Sequence, residues 1–395
     1  MKKSLQTERI HAPRLAPQYI STIQPPLYRA STIFFQNTQQ IFDRKWSDPY
    51  DYSYGTHGTP TTYTLADNIA QIEHGQFCLL APSGLSAIQL VNAAFLETGD
   101  EVWIPDNIYG PNLEYLNHLQ QAFNIKVSIY NPLEVDSFQP SPRTKLLWME
   151  AAGSVTLEFP NLIGLLQKAR QHQVLTVLDN TWGAGLAFNP FDFSEQHLAV
   201  DISVHALTKY PSGGGDILMG SVVTKDHNLH LKLLKMHALQ GLSISGDDAA
   251  QIIRSLPHMQ LRYEQQSKSA IQIMQWLKQQ PQFAQVLHPA DEMSPGHQYW
   301  QEICTSRQSS GLVSVVFNKK YNFQAICRFC DQLRLFKLGF SWGGPISLAM
   351  LYDLKRMRSL ETPHLAEGYV VRFCIGLETA DDLIQDIHNA LKQLE

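Results

Sequence analysis

No stretch of this 395-residue chain stays apolar for the ~20 residues that a bilayer-spanning helix needs. The opening residues, Met1-Lys2-Lys3-Ser4-Leu5-Gln6, lack the apolar core of a secretion signal. Cysteine is scarce: five in all, an odd number, which argues against a disulfide framework and for a reducing compartment. Cytoplasm is the expected location, with no membrane partner. Nor is there a basic surplus. Against 36 acidic residues stand 31 basic ones, and the resulting −5 offers no footprint for nucleic acid. The fifteen histidines form no H-E-x-x-H pattern, and Gly213-Gly214-Gly215 lacks the lysine and spacing of a P-loop. Cys327-Arg328-Phe329-Cys330 has C-x-x-C spacing but falls within a predicted helix without a second ligand pair, so no metal is expected.

What remains is an ordinary globular composition, 44% hydrophobic and 17% charged, long enough for two or three domains. Residues 1 to about 60 read as irregular and aromatic-rich, with Tyr28, Phe34, Phe35, Phe42, Trp46, Tyr50, Tyr52 and Tyr54. So apolar a segment is expected to lie across another surface. From 61 to 250 helix and strand alternate. Strands are predicted at Phe77–Ala81, Glu101–Pro105, Val127–Tyr130, Lys145–Met149, Val174–Leu178, Ile202–Leu207 and Ile217–Thr224. Helices are predicted at Thr61–Glu73, Ser83–Leu96, after Pro111, and at Asn161–His172. That pattern implies an α/β fold with a mostly parallel sheet covered on both faces. From 251 to 395 a smaller α+β domain is expected, with residues 248–280 helical and Gln-rich, strands at Leu312–Phe317 and Tyr369–Ile375, and helices at Phe323–Leu333 and Asp381–Leu394.

The strand Ile202–Leu207 runs into Thr208-Lys209-Tyr210-Pro211, where a lysine in an apolar setting has two readings. It snorkels to the surface, or burial lowers its pKa and leaves a neutral amine able to form a Schiff base with a carbonyl. Two other strand ends bear on the choice. Val174–Leu178 is followed by Asp179, and Leu79-Leu80-Ala81-Pro82 breaks at Ser83-Gly84 into a helix start, which suits an anion. A lysine, a carboxylate and an anion site at strand ends match an aldehyde, a basic ring nitrogen and a phosphate. Pyridoxal 5'-phosphate (PLP) has all three.

The order Tyr54-Gly55, Ser83-Gly84-Leu85, Asp106-Asn107-Ile108-Tyr109, Asp179-Asn180-Thr181-Trp182, Thr208-Lys209-Tyr210, Ser341-Trp342-Gly343-Gly344 and Arg372 through Glu378 resembles the Cys/Met-metabolism family of PLP enzymes. The resemblance runs from about residue 25 to the C-terminus. It implies the PLP-dependent transferase fold (aspartate aminotransferase-like, fold type I). Within the family, Ser341-Trp342-Gly343-Gly344 looks most like the bacterial cystathionine β-lyases. The implied reaction is β-elimination from a sulfur amino acid such as L-cystathionine. Alternatives are a γ-synthase or γ-lyase, a cystine desulfhydrase, or a catalytically silent PLP-fold binding protein.

The resemblance also implies roles. Lys209 carries the cofactor and removes the Cα proton, while Asp179 pairs with the ring nitrogen. Ser83, Gly84, Leu85 and Thr208 hold the phosphate, with Tyr54 reaching a neighbouring subunit's site. Tyr109 stacks on the ring and assists the proton transfers, and Arg372, helped by Ser341, grips the substrate carboxylate. Trp182 and Trp342 wall the pocket; for Arg372 an ion pair with Glu378 is the structural alternative. A homotetramer of two dimers is implied, with the N-terminal arm crossing between subunits. The chain departs from the family pattern at Thr56, where relatives carry a phosphate-binding arginine, and at Ala206 and Ala152, which replace serine and proline. Losing a charge-assisted phosphate contact costs roughly 1.5–3 kcal/mol, unless His57 or another cation substitutes.

Overall fold

The computed structural model describes Thr7 and residues 22–45, 47–48, 51–193, 198–304 and 306–394. Its frame is a seven-stranded sheet built from β1 (Phe77–Ala81), β2 (Glu101–Pro105), β3 (Lys126–Tyr130), β4 (Thr144–Glu150), β5 (Leu175–Asp179), β6 (Ile202–His205) and β7 (Gly220–Thr224), in the order β1-β7-β6-β5-β4-β2-β3. Only β7 runs against its neighbours. The C-terminal ends of β1, β4, β5 and β6 therefore share one edge, the edge at which α/β sheets bind ligands.

Burial on both faces follows from the residue pattern. Along β4, Leu146 and Trp148 enter one apolar cluster while Leu147 and Met149 enter another, and β5 divides Val177 from Leu178 in the same way. Helices supply the covers. Helix Pro60–Ile72 starts with Pro60 at its first turn and a Thr59–Thr62 capping box, which satisfies amides the helix cannot. Helix Gly84–Phe95 starts at Ser83, whose Oγ accepts the Ser86 N–H at 3.0 Å.

A second sheet has β8 (Phe283–Leu287), β9 (Leu312–Phe317), β10 (Lys337–Leu338), β11 (Leu348–Asp353) and β12 (Tyr369–Cys374), ordered β10-β11-β12-β9-β8. Every pairing in it is antiparallel except β10 with β11. Helices Phe323–Gln332 and Ala380–Leu391 and the end of Met259–Leu277 close its core.

The helical stretch expected over 248–280 is present as two helices, Gly246–Ser255 and Met259–Leu277, joined by a 3-10 turn at Leu256–His258. Pro257 sits in that turn, where it removes a backbone donor and crowds the preceding turn. The N-terminal segment is not wholly irregular, because Asn37 caps a short helix at Thr38–Asp43. The strand expected over Ile202–Leu207 stops at His205, since the residues beyond it turn. Part of the arm is tied to its own subunit by the Arg29–Asp247 ion pair and by the Tyr28 N–H donating to Thr61 Oγ1 at 2.8 Å. Phe34 and Phe42 stay 92% and 82% exposed. Trp46 and Tyr50 lie outside the described residues, as do most residues before 22.

Candidate active site

Lys209 emerges from the tight turn that ends β6. Its N–H donates to Ala206 O at 3.0 Å, and Ser212 Oγ closes the turn on Thr208 O at 2.7 Å. The ammonium lies 5.8 Å from the Trp342 ring centroid. Gly343 permits this approach: its φ is +79°, and a Cβ there would come within 3.0 Å of Tyr210 N. Trp342 in turn packs edge-on against Tyr210 at 5.7 Å, and the Tyr210 hydroxyl accepts the Gly311 N–H at 2.7 Å. Burial lowers the Lys209 pKa below the ordinary lysine value and the nearby Arg372 charge lowers it further, with Asp179 only partly offsetting both. Of the two sequence readings of this lysine, the snorkelling one does not fit.

Asp179 ends β5, and its Oδ1 accepts the Thr181 N–H at 3.0 Å. Among the described residues it has no ion-pair partner. Burial raises its pKa, and a cation or proton donor placed at the sheet edge would lower it again. Ser83 caps its helix as described. The N–H groups of Gly84 and Leu85 make no hydrogen bond among the described residues, which leaves two donors at a helix start for an anion. Gly84 is required there, because a Cβ would meet the Ala206 Cβ at 2.6 Å.

Arg372 lies on β12, 4% exposed. One guanidinium nitrogen donates to Ser154 O at 2.7 Å, and the group lies over the Tyr352 ring at 5.4 Å, while Nε has no partner. The Glu378 alternative is set aside: that carboxylate takes the Ser347 N–H and hydroxyl, each at 2.8 Å. Ser341 Oγ is likewise buried without a partner, and its φ of +99° is rare for a residue with a side chain. A buried guanidinium and hydroxyl with unfilled hydrogen-bonding capacity suit a carboxylate ligand.

Tyr109 stands at the start of helix Gly110–Phe123, 39% exposed, with its N–H donating to Glu150 Oε2 at 2.7 Å. Burial and the fields of Asp179 and Glu150 raise its phenol pKa. The Thr208 hydroxyl accepts the Met219 N–H at 3.1 Å. Tyr54, 48% exposed, bridges to Thr32 and makes no hydrogen bond with the Lys209 cluster of its own chain. Trp182 packs edge-on against Phe159 at 5.8 Å, its indole nitrogen unpartnered.

Sequence reasoning missed Glu150 and Tyr352. Glu150 ends an apolar strand just as Asp179 does, so that signal was present. Tyr352 carries no motif and is placed only by the register of β11 against β12.

The donor set fits a phosphorylated aldehyde with a basic ring. The sequence profile of the Cys/Met metabolism PLP-dependent enzymes matches residues 6–392. The chain belongs to that family. A cystathionine β-lyase of Bordetella avium is 33% identical over 369 residues, covering 93% of this chain and 91% of its own. An L-alanine/L-glutamate racemase of Wolbachia pipientis wMel is 30% identical, covering 98% and 96%. Among solved structures, metB from Corynebacterium glutamicum superposes with a TM-score of 0.88 at 25% identity, over 100% of this chain and 99% of that one. The family's members are PLP-dependent, and its fold accounts for the two sheets described above.

Proposed function

We propose that this family member is a carbon–sulfur lyase that eliminates a thiol from Cβ of a thioether amino acid, L-cystathionine first among them. The observation that carries this reading is a largely buried lysine beside Trp342 that feels the charge of Arg372, itself buried with its Nε unpartnered. Support for the β-lyase assignment comes from the relatives that bear that name.

Bound PLP supplies an electron-poor ring that renders a substrate's Cα–H acidic. The protein does the rest. Asp179 would pair with the ring nitrogen, the Gly84 and Leu85 amides would hold the phosphate, and Tyr109 would stack on the ring. Arg372 and Ser341 grip the α-carboxylate and so turn Cα toward the Lys209 side. Lys209 would take the Cα proton, a role that its lowered pKa favours. The Cβ–S bond breaks with its electron pair on sulfur, and Lys209 returns the proton there. Water then completes the balance: L-cystathionine and water give homocysteine, pyruvate and ammonia.

The same reading makes residues 61–250 the cofactor domain and 251–395 the domain that closes on it. It also places the exposed Phe34, Phe42 and Tyr54 against a second copy, in a homotetramer of two dimers.

The test is incubation of the PLP-loaded protein with L-cystathionine and identification of the oxo acid. Pyruvate is expected. Formation of 2-oxobutyrate instead means γ-elimination, and racemisation of L-alanine without any oxo acid means a racemase.

A further inference from the structure

The loop between β4 and helix Leu162–Gln171 is a hub for both sheets. Gly153 N–H closes it on Glu158 O at 3.0 Å. Ser154 O receives Arg372 at 2.7 Å, and Val155 O receives Ser314 Oγ at 2.6 Å, so two strands of the smaller sheet rest on it. At its other end Glu158, fully buried, accepts the Asn107 amide at 3.0 Å and the Thr156 hydroxyl at 2.5 Å. Asn107 belongs to the short segment, Asp106 through Ile108, that ends in Tyr109.

One side chain from the smaller domain joins these pieces. Arg358, about two hundred residues away in sequence, places one guanidinium nitrogen 2.7 Å from Glu158 Oε1 and on the Thr156 hydroxyl, and another 3.8 Å from Asp106 Oδ2. Its neighbour Ser359 donates its N–H to Asp106 Oδ1 at 2.8 Å. His364, from the same segment, adds a contact to Glu158 Oε1 at 3.2 Å. Two buried carboxylates thus face one guanidinium and one imidazole, with no other cation within ion-pair distance among the described residues. Without Arg358 the carboxylates would repel, and each would seek water or a proton.

We propose that Arg358 is a positioning residue: its fork onto Glu158 and Asp106 sets the segment that presents Tyr109 and the loop that braces Arg372, and so fixes the distance between the ring-stacking and carboxylate-binding sides of the pocket. It rests on the roles given above to Tyr109 and Arg372. The planar fork matters as well as the charge, since only it reaches both carboxylates at once.

Two variants test this. Arg358→Lys keeps the charge and loses the fork; Arg358→Met with Glu158→Gln removes the buried cation together with the anion nearest it and leaves Asp106 held by the Ser359 N–H. Each is compared with the parent by amide hydrogen exchange, with and without PLP, and by kcat and KM for L-cystathionine. In both variants exchange over 106–110 and 153–158 accelerates about tenfold or more while β9 is unchanged. KM rises roughly 10–100-fold, the size expected when binding groups are displaced by about 1 Å. Unchanged exchange in those two segments overturns the proposal. So does uniform acceleration along the chain with KM within about twofold of the parent, which marks a purely stabilising contact. Should the double variant fail to fold, Arg358→Lys decides by the same readings. Should the parent release no oxo acid, the lyase reading fails by itself, and exchange together with the visible dichroism of bound PLP, which senses Tyr109, still decides on Arg358.

Discussion

Glu150 and Asp179 are register partners at the ends of the parallel strands β4 and β5, the first side chain buried and the second partly so. Both pKa values are raised. For Glu150 the causes are burial first and then the Asp179 charge, and its value stands well above the usual carboxyl range. Burial and the neighbouring carboxyl both disfavour charge on Glu150, and the Tyr109 N–H that it accepts offsets them only in part.

From this follows a prediction on stability. A group with a raised folded pKa binds more protons folded than unfolded, so its contribution is intact at low pH and is lost as pH rises. Glu150→Gln, which keeps the acceptor and cannot ionise, should raise the melting temperature of the cofactor-free protein at about pH 8 and leave it unchanged near pH 4. Destabilisation at pH 8 would show that the carboxylate is charged and paired.

Lys209 gives the opposite sign. Its folded pKa is depressed, so between that value and the ordinary lysine pKa the unfolded chain holds more protons, and stability rises with pH. Lys209→Met should therefore stabilise the cofactor-free protein near neutral pH, with the advantage shrinking toward about pH 10. Paired melting curves across that window measure it, and a variant less stable than the parent at pH 7 would contradict the burial argument.

Arg372→Lys retains a cation but not the fork. Loss of one charge-assisted hydrogen bond costs about 1.5–3 kcal/mol, so KM for L-cystathionine should rise roughly 10–100-fold with a smaller change in kcat. Steady-state kinetics decide, and an unchanged KM removes Arg372 from carboxylate binding.

Gly84→Ala drives a Cβ to 2.6 Å from the Ala206 Cβ. Overpacking of this kind costs typically 1–3 kcal/mol, and the helix start must move away from β6. A lower melting temperature and a weaker PLP titration are expected together. Weakened titration without a stability change would point to a blocked ligand rather than a displaced helix.

The large sheet could be read from the sequence because its strands are short apolar runs punctuated by helix caps. Phe77–Ala81 and Glu101–Pro105 fall where their composition places them, and most other strand bounds shift by a residue or two. The candidate site residues Lys209, Asp179 and Ser83 were legible for the same reason: each is polar at the end of an apolar strand or the start of a helix. Strand β11 was not, since Ser-Trp-Gly-Gly-Pro precedes it and its own residues are half-buried rather than alternating. Arg358 was illegible for a deeper reason. Its segment is polar and aperiodic, and its partners, Asp106 and Glu158, are set only by how the two sheets meet. The occupied Thr208 hydroxyl likewise depends on β7 folding back beside it.

The whole reading depends on Lys209 as the residue that holds the cofactor. Borohydride reduction of the PLP-loaded protein, followed by digestion and mass spectrometry, tests it directly. The account predicts one pyridoxyl-labelled peptide, containing Thr208-Lys209-Tyr210 with the label on Lys209. Label on any other lysine, or none at all, would contradict it.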